Sequence, residues 1–438
     1  MSKFVINKVG PIDRISFKLN RINCFIGPQS SGKSTIAKII SFCLWLEKDI
    51  LIHRNTSYVN ADFIYKNLLV FHQMEHAFTE ESFIEYKSSV LSLEYKLGKP
   101  IVTLGKGFAD GVVGKNAYIP AERNVITLPG IFTLPLGNTN LKSFLLDWSS
   151  IHNKYTQHNS VDLLDLNVKY YYDDNQQQDT LILKNGKTIS LLEASSGLQS
   201  ATPLALCVDY LTNWIYQHTN DTSVEMRKEL EYAILKEFIK LFPSTSFSKE
   251  DFDKLVEDEN FRNIFKANIG RLKLLSKEIK DADNKGKLSA IDAFFQLEEN
   301  ITKPHFSSII IEEPEQNLFP QTQVSLVRYI LKKINKDRDN LVITTHSPYI
   351  LYALNNCMLG GLVKDNMEEE DMLATQDAWV HPQQVSVWAL TADGNFLSVE
   401  GSMNETLQDK DGLIRKNYLD DCMRSIMGEF TNLLNYYE

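Results

Sequence analysis

The chain of 438 residues lacks the features that mark secreted, membrane and zinc-binding proteins. Its five cysteines are scattered and form no CxxC pair, which excludes a disulfide framework and a zinc site of the usual spacing. No apolar run approaches the roughly 20 residues that a bilayer-spanning helix needs. The first residues run directly into a predicted strand and lack the layout of a signal peptide. We therefore expect a cytoplasmic protein without a membrane partner.

Positive charge is also in short supply. Lys and Arg number 46 against 56 Asp and Glu, which gives a net charge of −10. This balance excludes a surface that is basic overall, although a local basic stripe could still bind DNA. The densest basic run, at residues 271–280, is typical of a helix with one solvated charged face. A composition of 43% hydrophobic and 23% charged residues is that of an ordinary globular chain.

One motif dominates what is present. Residues 27–35 read GPQSSGKST, the GxxxxGK[ST] pattern of a phosphate-binding loop. An apolar strand at residues 22–26 precedes the loop and a predicted helix follows it, which is the context that the motif requires. Glycines let backbone amides wrap around phosphate, while Lys33 reaches the β- and γ-phosphates and Ser34 offers its hydroxyl to Mg²⁺. We predict a nucleoside triphosphate site formed by Gly27, Pro28, Gln29, Ser30, Ser31, Gly32, Lys33, Ser34 and Thr35.

Two further predicted strands end in side chains that could act on this nucleotide. Residues 307–311 and 341–345 are continuous apolar runs, and the helical pattern between them predicts a right-handed βαβ unit. Glu312 and Glu313 follow the first run and His346 follows the second. Ligands bind at the carboxyl ends of the strands in such sheets. We predict that Glu312 binds Mg²⁺, that Glu313 is the base for the attacking water, and that His346 contacts the γ-phosphate. A solvated turn and a structural histidine are the alternatives.

The order of these motifs resembles a known family. The phosphate loop is followed by SGLQ at residues 196–199, IIIEEPE at 309–315 and TTHSP at 344–348, as in the ABC-type ATPases of the SMC, RecF and OLD branch. Within that branch, YIPAER at residues 118–123 and the EEPE sequence resemble the OLD-like ATPases common in bacterial anti-phage systems. The resemblance implies an α/β fold, the ABC-type P-loop ATPase head, with a mixed sheet and helices on its faces.

The resemblance also implies roles for individual residues. The signature motif, which in this family binds the γ-phosphate held by the opposite subunit, would consist of Ser196, Gly197, Leu198 and Gln199. Glu312 takes the Walker B position, Glu313 is the catalytic glutamate and His346 is the switch histidine. The implied activity is hydrolysis of ATP, with Mg²⁺ as cofactor, by a homodimer that encloses ATP between its subunits. A higher oligomer and contact with DNA stay open.

Several positions depart from the family pattern. Leu198 stands where fuller signatures have a second glycine, and Glu312 is longer than the usual Walker B aspartate. Phe319 replaces the aspartate that ends the loop crossing the dimer interface. Arg123 is either a phosphate sensor or, as we expect, the ion-pair partner of Glu122 or another local carboxylate. These departures leave nucleotide binding in place and predict slow hydrolysis.

The spacing of the motifs predicts an insertion. About 113 positions separate the signature from Glu312, far more than a usual connection, and most of them have a helical pattern. We predict the N-terminal part of the ATPase head at residues 1–214, a largely helical insertion at 215–303 and the C-terminal part of the head at 304–438. The sequence after the switch histidine is too short for the Toprim nuclease domain that OLD-type proteins append there.

Two functions follow from this organisation. The chain could be the sensor or scaffold ATPase of an anti-phage defence complex, with the effector nuclease or toxin on a separate chain. Alternatively, it is a DNA-repair or DNA-maintenance ATPase of the RecF or SMC kind. A nuclease or toxin gene beside it would favour the first function, and DNA-stimulated hydrolysis would favour the second.

Overall fold

The computed structural model describes residues 2–218, 234, 258, 295–334, 337–368, 370, 373–397, 406–414 and 417–437. The predicted insertion at 215–303 therefore lies almost entirely outside the described residues, as does the basic run at 271–280. Within the described residues, no helix is long and apolar enough to cross a membrane.

The described strands occur in runs that are separated by helices along the chain. The strands are β1 (Lys3–Val9), β2 (Ile12–Lys18), β3 (Ile22–Ile26), β4 (Phe78–Lys87), β5 (Leu91–Lys96), β6 (Lys99–Leu104), β7 (Lys115–Ile119), β8 (Val161–Asp162), β9 (Lys169–Asp173), β10 (Gln178–Ile182), β11 (Thr188–Ser190), β12 (Ser307–Glu312), β13 (Asn340–Thr345) and β14 (Val385–Ala389). The α-helices with described bounds are α1 (Lys33–His53), α2 (Ala61–Ile64), α3 (Asn140–Ile151), α4 (Ser196–Asp209), α5 (Ile215–Gln217), α6 (Pro320–Ile334), α7 (Pro348–Val363) and α8 (Tyr418–Leu434).

A parallel sheet with the order β14-β3-β13-β12-β7 forms the centre of the fold. All of its neighbouring strands run parallel, and β12 and β13 are joined through α6, which confirms the predicted βαβ unit. Every residue of β3 and of β12 is buried, because helices or a second sheet cover both faces. That burial is the reason why these strands read as continuous apolar runs in the sequence.

The central sheet separates two hydrophobic cores, because successive side chains of a strand point to opposite faces. On one face, Cys24, Ile309 and Ile343 pack with residues of α3, α4, α6 and α7. On the other face, Phe25 and Ile310 pack with α1 and with the antiparallel sheet β2-β1-β4-β5-β6. Helix α1, which begins in the phosphate loop, therefore lies between the two sheets and is fixed on both sides.

A third sheet, antiparallel with the order β11-β10-β9-β8, leads the chain to the signature motif. The β10–β11 hairpin turns at Asn185 and Gly186, the strongest short hairpin pattern in the sequence. Gly186 has a φ of +79°, a conformation that glycine adopts at little cost. The parallel and antiparallel sheets with their covering helices confirm the predicted α/β class.

Candidate nucleotide site

The phosphate loop joins β3 to α1 in a shape that depends on glycine. Gly32 forms the N-cap of α1 with a φ of +100°. A Cβ atom added there would lie only 2.6 Å from the Ile12 Cγ1 atom, so a larger residue would distort the loop. Ser30 also has a positive φ of +60°, which turns the loop backbone inward. The loop thus leads directly into the positive N-terminal end of a helix, where backbone amides can bind phosphate.

Lys33 is buried at the base of this loop, with 5% of its side chain surface exposed. Its Nζ donates hydrogen bonds to the Gly27 carbonyl at 2.9 Å and to the Pro28 carbonyl at 2.6 Å. Burial lowers the pKa of Lys33 to about 8, although Glu313 and Glu315 act in the opposite direction. The loop's own carbonyls therefore hold the ammonium in the position from which it could bind phosphate.

Glu312 ends β12 in a buried position, with 6% exposure. Burial raises the pKa of this carboxyl group, and interactions with Tyr118 and Ser34 lower it. The Glu312 Oε1 atom has no hydrogen-bond partner among the described residues. A carboxylate oxygen left without a partner beside a serine hydroxyl is the donor set that Mg²⁺ prefers, so these two residues fit the predicted metal.

Glu313 and His346 lie together at the ends of neighbouring strands. The His346 Nε2 atom is 3.1 Å from the Glu313 Oε1 atom. The hydrogen bond from His346 is the main cause that lowers the pKa of Glu313, against the opposing effect of burial. Glu313 has a φ of +41°, a strained conformation for a glutamate, and its amide donates to the Thr344 carbonyl at 2.9 Å. Strain of this kind occurs at functional sites, where the surrounding structure holds it.

Glu315 connects the loop after β12 to the end of β13. Its Oε1 atom accepts hydrogen bonds from the Thr345 hydroxyl at 2.8 Å and from the His346 amide at 2.6 Å. The position of His346 therefore depends on the third glutamate of the EEPE sequence. The loop then ends at Phe319, whose side chain is 74% exposed.

Arg123 does not form the expected ion pair with Glu122 or another carboxylate among the described residues. The residue is completely buried, and its guanidinium group donates hydrogen bonds to main-chain carbonyls. The phosphate-sensor role stays a prediction. The five acceptors are the carbonyl oxygens of Pro120, Ser200, Glu312, Glu313 and Pro314, at 3.0 to 3.3 Å. Burial lowers the pKa of Arg123 to about 10.

The acceptors of Arg123 explain its place in the site. Three of them belong to the strained turn at residues 312–314, and a fourth belongs to Ser200 in α4, the residue directly after the signature motif. The forked guanidinium satisfies carbonyls that the positive φ of Glu313 turns away from regular structure. No sequence pattern indicates this role, because the acceptors are main-chain atoms from three separate segments.

The signature motif begins α4 at an open helix end. Ser195 is the N-cap, and its side chain accepts from the Leu198 amide at 3.5 Å. Ser196 is exposed at the first helical position. A Cβ atom on Gly197 would lie 3.0 Å from the Asn317 carbonyl, so the signature packs against the loop that follows β12. Leu198 is partly buried against the hydrophobic core, which accounts for an apolar residue at this position.

The structure thus brings together most, but not all, of the predicted site residues. The phosphate loop, Glu312, Glu313 and His346 meet at the carboxyl ends of three adjacent parallel strands. The signature motif does not join them: in the described part of the chain, its residues hydrogen-bond near α4 and contact the loop after β12. Ser196 at the start of α4 is exposed, and among the described residues no hydrogen bond links the signature motif to the phosphate loop.

Comparison with known proteins agrees with this geometry. Residues 271–351 match the AAA ATPase domain family, and the matched segment includes Glu312, Glu313 and His346. No curated protein matches the chain.

Solved structures that the chain matches include SMC head domains and a RecF protein. The SMC head domain from Thermotoga maritima has a TM-score of 0.31 and 9% identity, over 80% of this chain and 90% of that chain. The recombination mediator protein RecF of the RecFOR pathway has a TM-score of 0.28 and 11% identity, over 90% and 96%. The Smc head domain from Pyrococcus furiosus has a TM-score of 0.26 and 11% identity, over 81% and 92%. At this level the similarity carries no functional inference.

The site and the family match define the class of the protein. The chain is an ATPase with an α/β fold, and its phosphate loop lies at the edge of a five-stranded parallel sheet. The predicted fold class and the predicted activity, hydrolysis of ATP, are confirmed. The finer assignment to the OLD-like branch stays a prediction.

Replacing Arg123 by Met should destabilise the protein strongly. The variant keeps much of the side-chain volume but leaves the five carbonyls without their donor, so the free energy of unfolding should fall by about 3–5 kcal/mol. Chemical denaturation followed by circular dichroism measures the change. The matched control is Arg14→Met, an exposed arginine, for which we expect a change within about 0.5 kcal/mol. Equal stability of both variants would contradict the role given to Arg123.

Affinity for ATP should fall as the pH rises above about 8. Phosphate oxygens favour the charged form of Lys33, whose pKa in the free protein is about 8. Above that pH, binding must take up a proton, so the dissociation constant should rise up to about tenfold per pH unit. Isothermal titration at pH 9 in two buffers of different ionisation enthalpy should show this proton uptake. The Lys33→Ala variant should bind ATP weakly and without proton uptake. A wild-type affinity that does not change with pH would contradict the prediction.

Proposed function

We propose that the chain works as a homodimer in which ATP and Mg²⁺ lie between the phosphate loop of one copy and the signature motif of the other. The observation that supports this proposal is the exposed start of α4 at the signature motif, which no hydrogen bond links to the phosphate loop among the described residues. The α4 N-terminus at Ser196 is exposed, and its open amides and hydroxyl are suited to bind an anion. A two-fold arrangement would supply that anion, the γ-phosphate, from the second copy.

In the proposed site, each residue of the chain has one task. Lys33 binds the β- and γ-phosphates, and for this its ammonium group gives up its hydrogen bonds to the Gly27 and Pro28 carbonyls. Glu313 orients the attacking water and accepts its proton, and His346 stabilises the charge that shifts during transfer. Ser34 and Glu312 would hold Mg²⁺, which supplies charge neutralisation at the phosphates.

The geometry supports slow hydrolysis. The hydrogen bond from His346 lowers the pKa of Glu313, and a carboxylate with a lower pKa is a weaker base. The strained turn that carries Glu313 is held by Arg123, so the pair cannot relax without moving three segments of the chain. A slow ATPase of this kind is suited to be a switch whose ATP-bound and ATP-free states differ in oligomeric state.

We infer that this switch acts as the sensor or scaffold of a bacterial anti-phage defence complex. The resemblance of YIPAER and EEPE to OLD-like ATPases supports the role, and the effector nuclease or toxin would be a separate chain. Expression of the native operon, followed by purification of the complex and mass spectrometry, tests it. A nuclease or toxin in stoichiometric amount is the expected result. Hydrolysis stimulated by duplex DNA, with no such subunit, would instead favour the DNA-maintenance function.

The Glu313→Gln variant should bind ATP and lose turnover. The amide fills the same space but cannot accept a proton, so hydrolysis should fall by about a hundredfold or more. The ATP-bound dimer should then accumulate, which sedimentation velocity with and without ATP can detect. Glu80→Gln is a control, since Glu80 is exposed in β4 and outside the site. Unchanged hydrolysis in the Glu313 variant would remove this residue from the mechanism.

Mixing two inactive variants should restore activity. Lys33→Ala removes the phosphate-loop cation, and Ser196→Arg places a bulky cation at the start of the signature helix. In a mixed dimer, one composite site carries both changes and the other carries neither. Random pairing should therefore return about a quarter of wild-type activity if one intact site suffices. No recovery in proven mixed dimers, or full activity of a monomer at nanomolar concentration, would argue against a site shared between copies.

A further inference from the structure

Among the described residues, helix α8 (Tyr418–Leu434) is attached to the rest of the structure only at its beginning. Asn417 is buried and caps the helix, and the Tyr352 hydroxyl donates to the Asp420 side chain. From residue 421 to residue 437, every side chain is exposed. A helix of this length without tertiary contacts is only marginally stable in water. The structure of one copy therefore does not account for the stability of α8.

The exposed helix has a continuous apolar seam. Four large apolar side chains recur within α8 with alternating spacings of three and four residues, the pattern of helices that pack along their length. They are Met423, Ile426, Phe430 and Leu433. All four are 56% exposed or more, and Met427 and Leu434 extend the apolar face on one side. Charged and polar residues occupy the opposite face.

The helix begins beside the nucleotide site. The Tyr418 side chain interacts with the backbone of Gly27, the first residue of the phosphate loop, and with Glu315. The seam thus starts at the face of the head that the proposed function assigns to the second copy. Two further aromatic side chains are exposed at this edge of the sheet. Tyr349 lies three residues after His346, and Phe319 ends the loop that follows β12.

We propose that the α8 seam is covered by the same seam of a second copy of this chain, with the two helices antiparallel. This inference rests on the proposed ATP-dependent dimer and adds a second contact to it. Antiparallel pairing about Gly428 brings Met423 opposite Leu433 and Ile426 opposite Phe430, so each of the four seam residues meets another. It also keeps the acidic N-terminal ends, with Asp420 and Asp421, apart and aligns the helix dipoles favourably. Parallel pairing would bring these acidic ends together.

A pair of matched double variants tests the contact. Met423→Glu with Phe430→Glu places charges in the seam, and the control Ser425→Glu with Asn432→Glu places the same charges on the polar face. All four side chains are exposed in the single copy, so both variants should fold as the parent does, which circular dichroism checks. In the Glu313→Gln background with ATP, the seam variant should have a dimer dissociation constant at least about a hundredfold above the control. Sedimentation velocity over a range of concentrations measures it.

The outcomes separate this inference from the proposed function. If the control forms an ATP-dependent dimer and the seam variant forms it equally well, the seam pairing is wrong and the proposed ATP-dependent dimer stands. If even the control forms no dimer with ATP, the proposed function fails, and the seam inference fails with it. A seam variant that dimerises normally but loses an operon-encoded subunit would assign the seam to that subunit and overturn the pairing.

A charge exchange tests the antiparallel arrangement. Met423→Glu alone should weaken the dimer, because two carboxylates would enter the seam opposite Leu433. Adding Leu433→Lys to the same chain should lower the dimer dissociation constant at least about tenfold relative to Met423→Glu alone. Each new carboxylate then faces a new ammonium group on the other copy. Residues 423 and 433 are too far apart on one helix to pair within a copy. No recovery in the double variant would overturn the antiparallel arrangement.

Discussion

The register of three parallel strands is the constraint on which the rest of the site depends. Strands β3, β13 and β12 are neighbours, with Ile26 paired to Thr345 and Glu312 paired to Thr344. They end at the same level, so the loops that follow them meet at one edge of the sheet. The phosphate loop, the two glutamates and the switch histidine come from segments far apart in sequence. A shift of one residue in this register would turn their side chains to the other face.

Crowding of acidic groups is the electrostatic consequence of that arrangement. Glu312, Glu313 and Glu315 lie within four residues, and each is held differently. Glu312 is buried beside Tyr118 and Ser34, Glu313 is bonded to His346, and Glu315 accepts from the main chain and from a threonine hydroxyl. Lys33 and Arg123 supply positive charge nearby, and the burial of both lowers their pKa. Lys33 and Arg123 thus have hydrogen-bond partners before any phosphate enters, and a triphosphate would replace the contacts of Lys33 with the loop carbonyls.

Arg123 shows why part of the site could not be predicted. Its neighbours in sequence, Glu122 above all, suggest an ion pair, and the resemblance suggests a phosphate contact. The fold instead surrounds it with carbonyls from the β7 end, from α4 and from the turn after β12. Main-chain acceptors carry no sequence signature, and they converge only when three segments pack together. The phosphate loop is the opposite case, since its glycines, lysine and serine work within nine consecutive residues.

The sequence by itself determined the features that depend on local chemistry and on periodicity. These are the phosphate loop, the buried parallel strands on either side of α6, and the hairpin at Asn185 and Gly186. Each of these features depends on residues that are close in the chain. Their types reflect only burial or the backbone conformation that the position needs. Only the tertiary structure decided that Glu313 is strained and bonded to His346, and that the signature packs on the loop after β12. It also decided that α8 leaves the head beside Gly27 with its apolar seam exposed. These features depend on contacts between distant segments, whose relative positions are fixed by the packing of the whole sheet.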